Sequence, residues 1–380
     1  MERTKGYVKL TPIIFLSLIY FSGILWLIIG LKKLKKPAGS EQNLTVSVIV
    51  AARNEEENIE KCVIALAAQD YPQKNYNVYI INDRSEDGTE KIISKFVSKR
   101  PNFHLINISS VPPNTSPKKH ALQMGIDTSD GAIILTTDAD CIPPDGWITG
   151  LVNYYTEDSA GFVAGYAPVK NDGDGLMDGL INLDSLSLAA VSAGSIGNGY
   201  PLTGTGRNLS YRRSSFESIG GFDGLWKFMS GDDDLLLHKA HQNGVNVQYS
   251  ILPSTFVNSS TYDSMTEISN QRRRHASKGL HYYELPGMTG LKIALPIIYI
   301  FNLFIVFGLL GISSDLSGLA IALILKSFAE FSLLSSFSSI VGVKGSLKLF
   351  LLAQFIHPFY VVIFGAWGAL GKFRWKGQKS

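Results

Sequence analysis

Residues 132–141 read AIILTTDADC. An aliphatic run of this length, breaking into polar residues, predicts a buried strand. The two aspartates that end it, Asp138 and Asp140, are poor candidates for helix caps. Cys141, Ile142, Pro143 and Pro144 follow, and no helix starts there. Two carboxylates with one residue between them suit a divalent cation carrying a diphosphate. Hard cations take oxygen ligands, and Mg2+ or Mn2+ completes its shell with phosphate oxygens.

The same arrangement recurs upstream. VSVIVA at 46–51 runs into Ala52, Arg53, Asn54, Glu55 and Glu56, and NVYIIN at 77–82 runs into Asp83, Arg84, Ser85, Glu86 and Asp87. Helical spacing fills the gaps: 55–68 with Ile59, Val63 and Leu66 on one face, then 89–97, then a helix across 119–125. A further strand is expected at 103–108. Alternation of strand and helix predicts an α/β fold with a mostly parallel sheet covered by helices. Ligands of such sheets bind at the carboxyl ends of the strands, so three acid-bearing turns are expected along one sheet edge. Helix capping is the plainer reading for Ser85 and Asp87.

Composition separates the ends of the chain from its middle. Hydrophobic residues make up 45% and charged residues 18% of the 380, which excludes a disordered chain. Two cysteines, Cys62 and Cys141, are too few and too far apart for a disulfide scaffold and fit a reducing compartment. A net charge of +3 does not point to nucleic acid. Residues 11–31 carry no charge and are followed by Lys32, Lys33, Lys35 and Lys36. That pattern reads as a retained transmembrane anchor with its basic end in the cytoplasm.

Three apolar stretches close the chain at 293–314, 316–343 and 349–371, the middle one carrying Lys326 and Glu330. Four residues apart, that pair shares a helix face and reads as a structural ion pair. Three crossings would place the tail outside if the middle domain is cytoplasmic. Lys372, Arg374, Lys376 and Lys379 favour inside. A re-entrant or interfacial segment resolves the conflict. The expected organisation is an anchor and basic linker at 1–42, a catalytic domain at 43–291 whose last stretch, 263–291, is interfacial, and a membrane region at 292–380.

Eight stretches, in order, resemble the membrane-associated GT-A glycosyltransferases of family 2. This group includes cellulose, hyaluronan and poly-N-acetylglucosamine synthases and ceramide glucosyltransferase. VSVIVAARNEEENI is similar to the family's first strand and turn, IINDRSEDGT to its nucleotide-binding turn, KKHAL at 118–122 to its K-x-x-A-L segment, and TTDADC supplies the DxD. GTGRNLSYRR at 204–213 and GGFD at 220–223 resemble the acceptor-side strand and turn. GDDDL at 231–235 stands where the family has E-D-x-D-L, and QRRRH at 271–275 where it has Q-x-x-R-W.

The resemblance implies a GT-A fold flanked by transmembrane helices, with Mg2+ or Mn2+ on Asp138 and Asp140. Arg53, Glu55, Asp83, Lys118, Asp138, Gln271 and Arg274 would hold a nucleotide sugar, a UDP-sugar by expectation. The general base would be Asp232 or, if the acidic run is aligned one residue later, Asp233. Gln271 and Arg274 fall on one face of a helix that Ser264 and Glu267 would begin as a capping box. Arg272 and Arg273 read as a basic run facing solvent or lipid headgroups. His275 in place of tryptophan departs from the pattern and weakens any expectation of a processive polymer channel. His238 and His241 lack a third partner for zinc.

The implied activity is inverting transfer from a nucleotide-sugar donor to a lipid-linked or polysaccharide acceptor at the cytoplasmic face of an inner-type membrane. A polyprenyl-phosphate glycosyltransferase, or a silent GT-A-like scaffold that binds sugar nucleotides, are the alternatives.

Overall fold

The computed structural model describes residues 12–37, 39, 43–155, 160–169, 175–259, 269–272, 276, 279, 282–313, 315–343, 347–370, 374–375 and 378–379. The anchor segment is the helix α1 (Pro12–Lys33). A seven-stranded sheet follows, built from β1 (Val46–Ala52), β2 (Tyr76–Asp83), β3 (Phe103–Ile108), β4 (Ile133–Asp138), β6 (Phe162–Gly165), β7 (Leu209–Arg212) and β8 (Val247–Ser250). Its order is β3-β2-β1-β4-β7-β6-β8, and β7 alone runs antiparallel to its neighbours. Two-residue strands β5 (Cys141–Ile142) and β9 (Asn258–Ser259) pair outside it.

Alternation along the strands sorts side chains onto two cores. Val46, Val48 and Val50 of β1 pack with Ile59, Cys62, Val63 and Leu66 of α2 (Ile59–Ala67), Ile93 of α3 (Thr89–Val97) and Trp147 of α5 (Trp147–Val152). Ile49, from the same strand, faces the other way, towards Ala121, Leu122 and Ile126 of α4 (Pro117–Thr128). Helices therefore cover both sheet faces, as the alternation predicts.

The helix expected at 55–68 starts later. Asn54 is left-handed (φ 52°), and the backbone N–H groups of Glu55 and Glu56 are taken by Thr89 Oγ1 and an Asp87 carboxylate oxygen. Residues 55–58 form turns in which Asn58 N and Ile59 N donate to Glu55 O, and α2 begins at Ile59.

The second core extends beyond the sheet. It includes Leu27 and Leu31 of α1, Leu186, Ala190 and Ala193 of α6 (Leu176–Gly197), and Phe337 of α10 (Leu316–Val341). Short helices α7 (Arg213–Ser218) and α8 (Asp234–Gln242) flank β7 and β8, and α9 (Thr289–Leu309) and α11 (Phe350–Leu370) complete the apolar bundle. Among the described residues, α1, α6, α9, α10 and α11 are long and apolar enough to cross a membrane. The three C-terminal stretches are thus helical. The sequence reading did not single out α6.

Candidate active site

The carboxyl ends of β1, β2 and β4 lie side by side, with Ala51 opposite Asp138 and Ala52 opposite Asn82. Two left-handed residues, Asn54 and Arg84, turn the chain sharply after β1 and β2, and the two loops are then bonded together. Ser85 Oγ accepts from Asn54 N, Asn54 Oδ1 from Glu86 N, and a Glu56 carboxylate oxygen from Gly88 N. Asp87 accepts from Thr89 N and Oγ1, which is the capping role its position suggests. Asp83 is buried, its carboxylate 2.8 Å from Arg84 Nε and 3.9 Å from Arg53 Nη1. Glu55 accepts from Asn58 Nδ2. Arg53, Glu55 and Asp83 therefore form one flank of the sheet edge.

The central feature is an ammonium between two acidic stretches. Lys118 Nζ lies 2.8 Å from Asp138 Oδ1 and 2.9 Å from Asp232 Oδ2. Burial works to lower the Lys118 pKa, but the charges of Asp138 and Asp232 outweigh it and raise it above the ordinary lysine value. The neighbouring Lys119 does a different job. Fully buried, it donates to the carbonyls of Phe228 and Ser230 at 2.6 and 2.7 Å, fixing the loop that carries Asp232. On the other side, Thr137 Oγ1 of β4 donates to Arg207 O, which sets the 204–208 loop beside the two aspartates.

Asp232, Asp233 and Asp234 point to three different tasks. Asp232 faces Lys118. Asp233 caps α8, accepting from Asp234 N and, through its other oxygen, from Gly206 N. Asp234 is buried and takes the Tyr282 hydroxyl at 2.7 Å. Gly206 closes the floor: a Cβ there would stand 2.9 Å from Asp232 Oδ2 and 3.4 Å from Lys118 Nζ.

These groups line one cleft of about 340 Å3, which also contains Asp140, Asp184, Arg207, Gln271 and Arg272. Six carboxylates line it (Asp138, Asp140, Asp184, Asp232, Asp233, Asp234) with three cations (Lys118, Arg207, Arg272). Burial raises the Asp140 pKa, and repulsion from Asp138 and Glu55 raises it further, with Arg207 opposing. Two crowded carboxylates of this kind fit a hard divalent cation. No group of three or more His, Cys, Asp or Glu side chains able to hold a metal occurs among the described residues. The rest of such an ion's shell would be water or phosphate oxygen, in keeping with that chemistry.

Arg272 corrects the sequence reading. It is buried, not facing solvent or headgroups, and its Nη2 lies 2.5 Å from Asp184 Oδ2 of α6. Gln271 lines the cleft, with its buried Oε1 making no hydrogen bond among the described residues. Arg273, Arg274 and His275 lie outside the described residues, as does the capping box at 264–267. Asp184 and Arg207 were not among the sequence candidates. Arg207 sits inside a recognised stretch, and Asp184 is one of two acids on a helix long and apolar enough to span, a signal in its own right. His238 is buried against Leu202 O and the Tyr282 ring. Both cysteines are buried and free.

The model of glycosyl transferase family 2 matches residues 47–220. A probable glycosyltransferase of Bacillus subtilis, YdaM, is 29% identical over 206 residues, covering 54% of this chain and 48% of that protein. The beta-monoglucosyldiacylglycerol synthase of Trichormus variabilis is 27% identical over 244 residues, covering 63% of this chain and 49% of the synthase. The chain thus spans about half the length of these curated relatives. A solved mannosyltransferase of Pyrobaculum calidifontis, PcManGT, in complex with GDP-mannose and Mn2+, superposes with a TM-score of 0.57 at 18% identity, covering 94% of this chain and 95% of that one. That likeness is one of fold, and the fold is GT-A.

Proposed function

We propose, on the premise that residues 47–220 belong to glycosyl transferase family 2, that this chain moves a sugar from a nucleotide-sugar donor to a membrane-held acceptor by a single inverting displacement. The observation that carries the reading is the convergence of Asp138, Asp140 and Asp232 on one cleft, with Lys118 between Asp138 and Asp232.

In this reading the acceptor oxygen bonds to the anomeric carbon as the bond from that carbon to the diphosphate breaks. Asp232 takes the hydroxyl proton, and the nucleoside diphosphate leaves. One base suffices, because inversion needs no covalent intermediate on a second carboxylate. Asp138 and Asp140 would hold a divalent cation whose charge offsets that of the departing diphosphate. Lys118 holds the Asp232 carboxylate in place through the hydrogen bond seen here. Asp233 is committed to capping α8 and to Gly206, which favours Asp232 as the base. Arg53, Glu55, Asp83, Gln271 and Arg274 are assigned to the donor by resemblance.

An amphiphilic acceptor suits a catalytic domain that shares its core with α1, α6 and α10, and a relative named for monoglucosyldiacylglycerol synthesis accords with it. The basic end of α1 supports a cytoplasmic orientation of the domain.

The test is a donor screen with the full chain in detergent, following nucleotide release with Mg2+ and with Mn2+. Asp232→Asn should lower turnover by about 10²–10⁴-fold, the range for loss of a general base, while the affinity for nucleoside diphosphate stays near that of the parent. Asp140→Ala should lose metal-dependent release. Undiminished release in either variant would remove the site assignment.

A further inference from the structure

A second cavity adjoins the polar cleft. It measures about 520 Å3 and lies between α1, α6, α10 and α11, with Ile24, Leu180, Leu333 and Phe364 on its walls. Asp184, Leu188 and Arg272 line both spaces, so cavity and cleft meet at that ion pair. The cavity also opens to the apolar exterior, where its wall residues Met177 and Ile356 are exposed. One wall also carries His357, whose Nδ1 is buried and has no hydrogen-bond partner among the described residues.

We infer that this cavity takes the hydrocarbon tail of an uncharged, hydroxyl-bearing lipid of the diacylglycerol class. Its headgroup would enter the cleft past the Asp184–Arg272 pair. The inference rests on the transfer reading above and specifies its acceptor.

Shape and charge argue together. A volume of this size is typical of a site for a small ligand, and apolar walls exclude a hydrated glycan chain. Nothing along the described cleft invites an anionic headgroup. Six carboxylates face three cations there, and each cation already has acidic company: Lys118 lies between Asp138 and Asp232, Arg272 on Asp184, and Arg207 beside Asp140. The donor's diphosphate and a divalent cation on Asp138 and Asp140 would offset one another and leave the carboxylates in excess, so a lipid phosphate would add negative charge to an acid-rich space. A neutral hydroxyl adds none, and it can donate to a carboxylate.

The full chain is placed in phosphatidylcholine nanodiscs doped with either 1,2-dioleoylglycerol or undecaprenyl phosphate, and lipid retained after extraction is counted by native mass spectrometry. The parent should retain dioleoylglycerol well above its share of the bilayer and undecaprenyl phosphate no better than phosphatidylcholine. Ala353→Trp, which fills the cavity from α11, should cut dioleoylglycerol retention at least tenfold. Ala353→Leu, with circular dichroism on both variants, covers the case in which the tryptophan prevents folding. Asp184→Asn removes a negative charge beside Arg272 and should raise undecaprenyl phosphate retention several-fold.

Preferential retention of the phosphate lipid by the parent would overturn the inference. So would equal retention of all three lipids, meaning solvating lipid only, or retention indifferent to cavity filling. Because retention needs no turnover, the two readings fail separately. Metal-dependent nucleotide release without dioleoylglycerol retention sinks this inference alone. Retention without nucleotide release in any donor screen sinks the transfer reading.

Discussion

At the scale of single residues, burial decides which side chains keep ordinary chemistry. His238 sits inside the fold with Nε2 3.2 Å from Leu202 O. Burial foremost, then the nearby His241, lowers its pKa from 6.5 to about 4, against the opposing hydrogen bond to Leu202 O. The folded protein thus keeps His238 neutral where the unfolded chain would already bind a proton. Stability attributable to this group is intact above pH 6.5, declines as the pH falls, and is gone below about 4. The whole effect is about 3 kcal/mol, from a shift of that size at 1.36 kcal/mol per pH unit. Thermal midpoints of the parent and of His238→Gln, read from pH 7.5 to 4.5, should converge as the pH drops. Parallel curves would show that the histidine contributes no such term. The same residue-level logic explains what could be read in advance. Asp138, Asp140 and Lys118 stand in short local patterns, and Asp232 differs from Asp233 by one step of alignment. Only three-dimensional placement shows that Asp233 is spent on a cap. The meeting of Asp184 with Arg272 joins stretches far apart in the chain, and no local pattern announces it.

Among elements, α6 is the one whose nature the sequence conceals. Its mean hydropathy is 1.3, the lowest of the five long apolar helices, because serines, glycines and two aspartates dilute its leucines. The small residues have a packing purpose that becomes visible only against α1. A Cβ on Gly30 would lie 1.8 Å from Gly194 O, and one on Gly197 would lie 2.1 Å from Gly30 O. The two backbones therefore touch, an arrangement only small residues permit. Asn198 secures the crossing by donating to Trp26 O and accepting from Lys33 Nζ. Gly30→Leu should destabilise the protein by about 1–3 kcal/mol or more through overpacking. Gly23, on the same helix, has nothing within 4 Å of its would-be Cβ. Gly23→Ala should be neutral or stabilising by up to about 1 kcal/mol, as alanine is the better helix former. Thermal unfolding in one detergent compares them, and equal behaviour of the two variants would refute the crossing. The first four strands, by contrast, were legible almost residue by residue, because an apolar run of strand length carries its signal without help from a partner, whereas the short β6 and β8 were not singled out.

For the whole molecule, the apolar helices and the sheet form one body joined at two levels. The first is the shared hydrophobic core, in which Phe337 of α10 meets Tyr166 and Tyr249 edge-on. The second is polar and lies within the bundle. Lys326 is fully buried, with Nζ 2.9 Å from Glu330 Oε2 and 3.0 Å from Gln354 Oε1. Glu330 also accepts from Tyr20 of α1 and Gln354 of α11, so one carboxylate holds three helices together. The pair expected from the four-residue spacing is present, but the tyrosine and glutamine that turn it into a tie between distant segments could not be inferred from spacing. A buried charge left alone is far more costly than a buried pair, and removing both partners is often tolerated. Lys326→Met should therefore cost about 3–5 kcal/mol, and Glu330→Met a comparable amount. The double variant should be less destabilised than the sum of the two, and by the largest margin if Tyr20 and Gln354 can satisfy each other or water. A double-mutant cycle of unfolding free energies in a single detergent measures that coupling. Strict additivity would mean that the two charges do not act on each other and that Lys326 is no part of the tie.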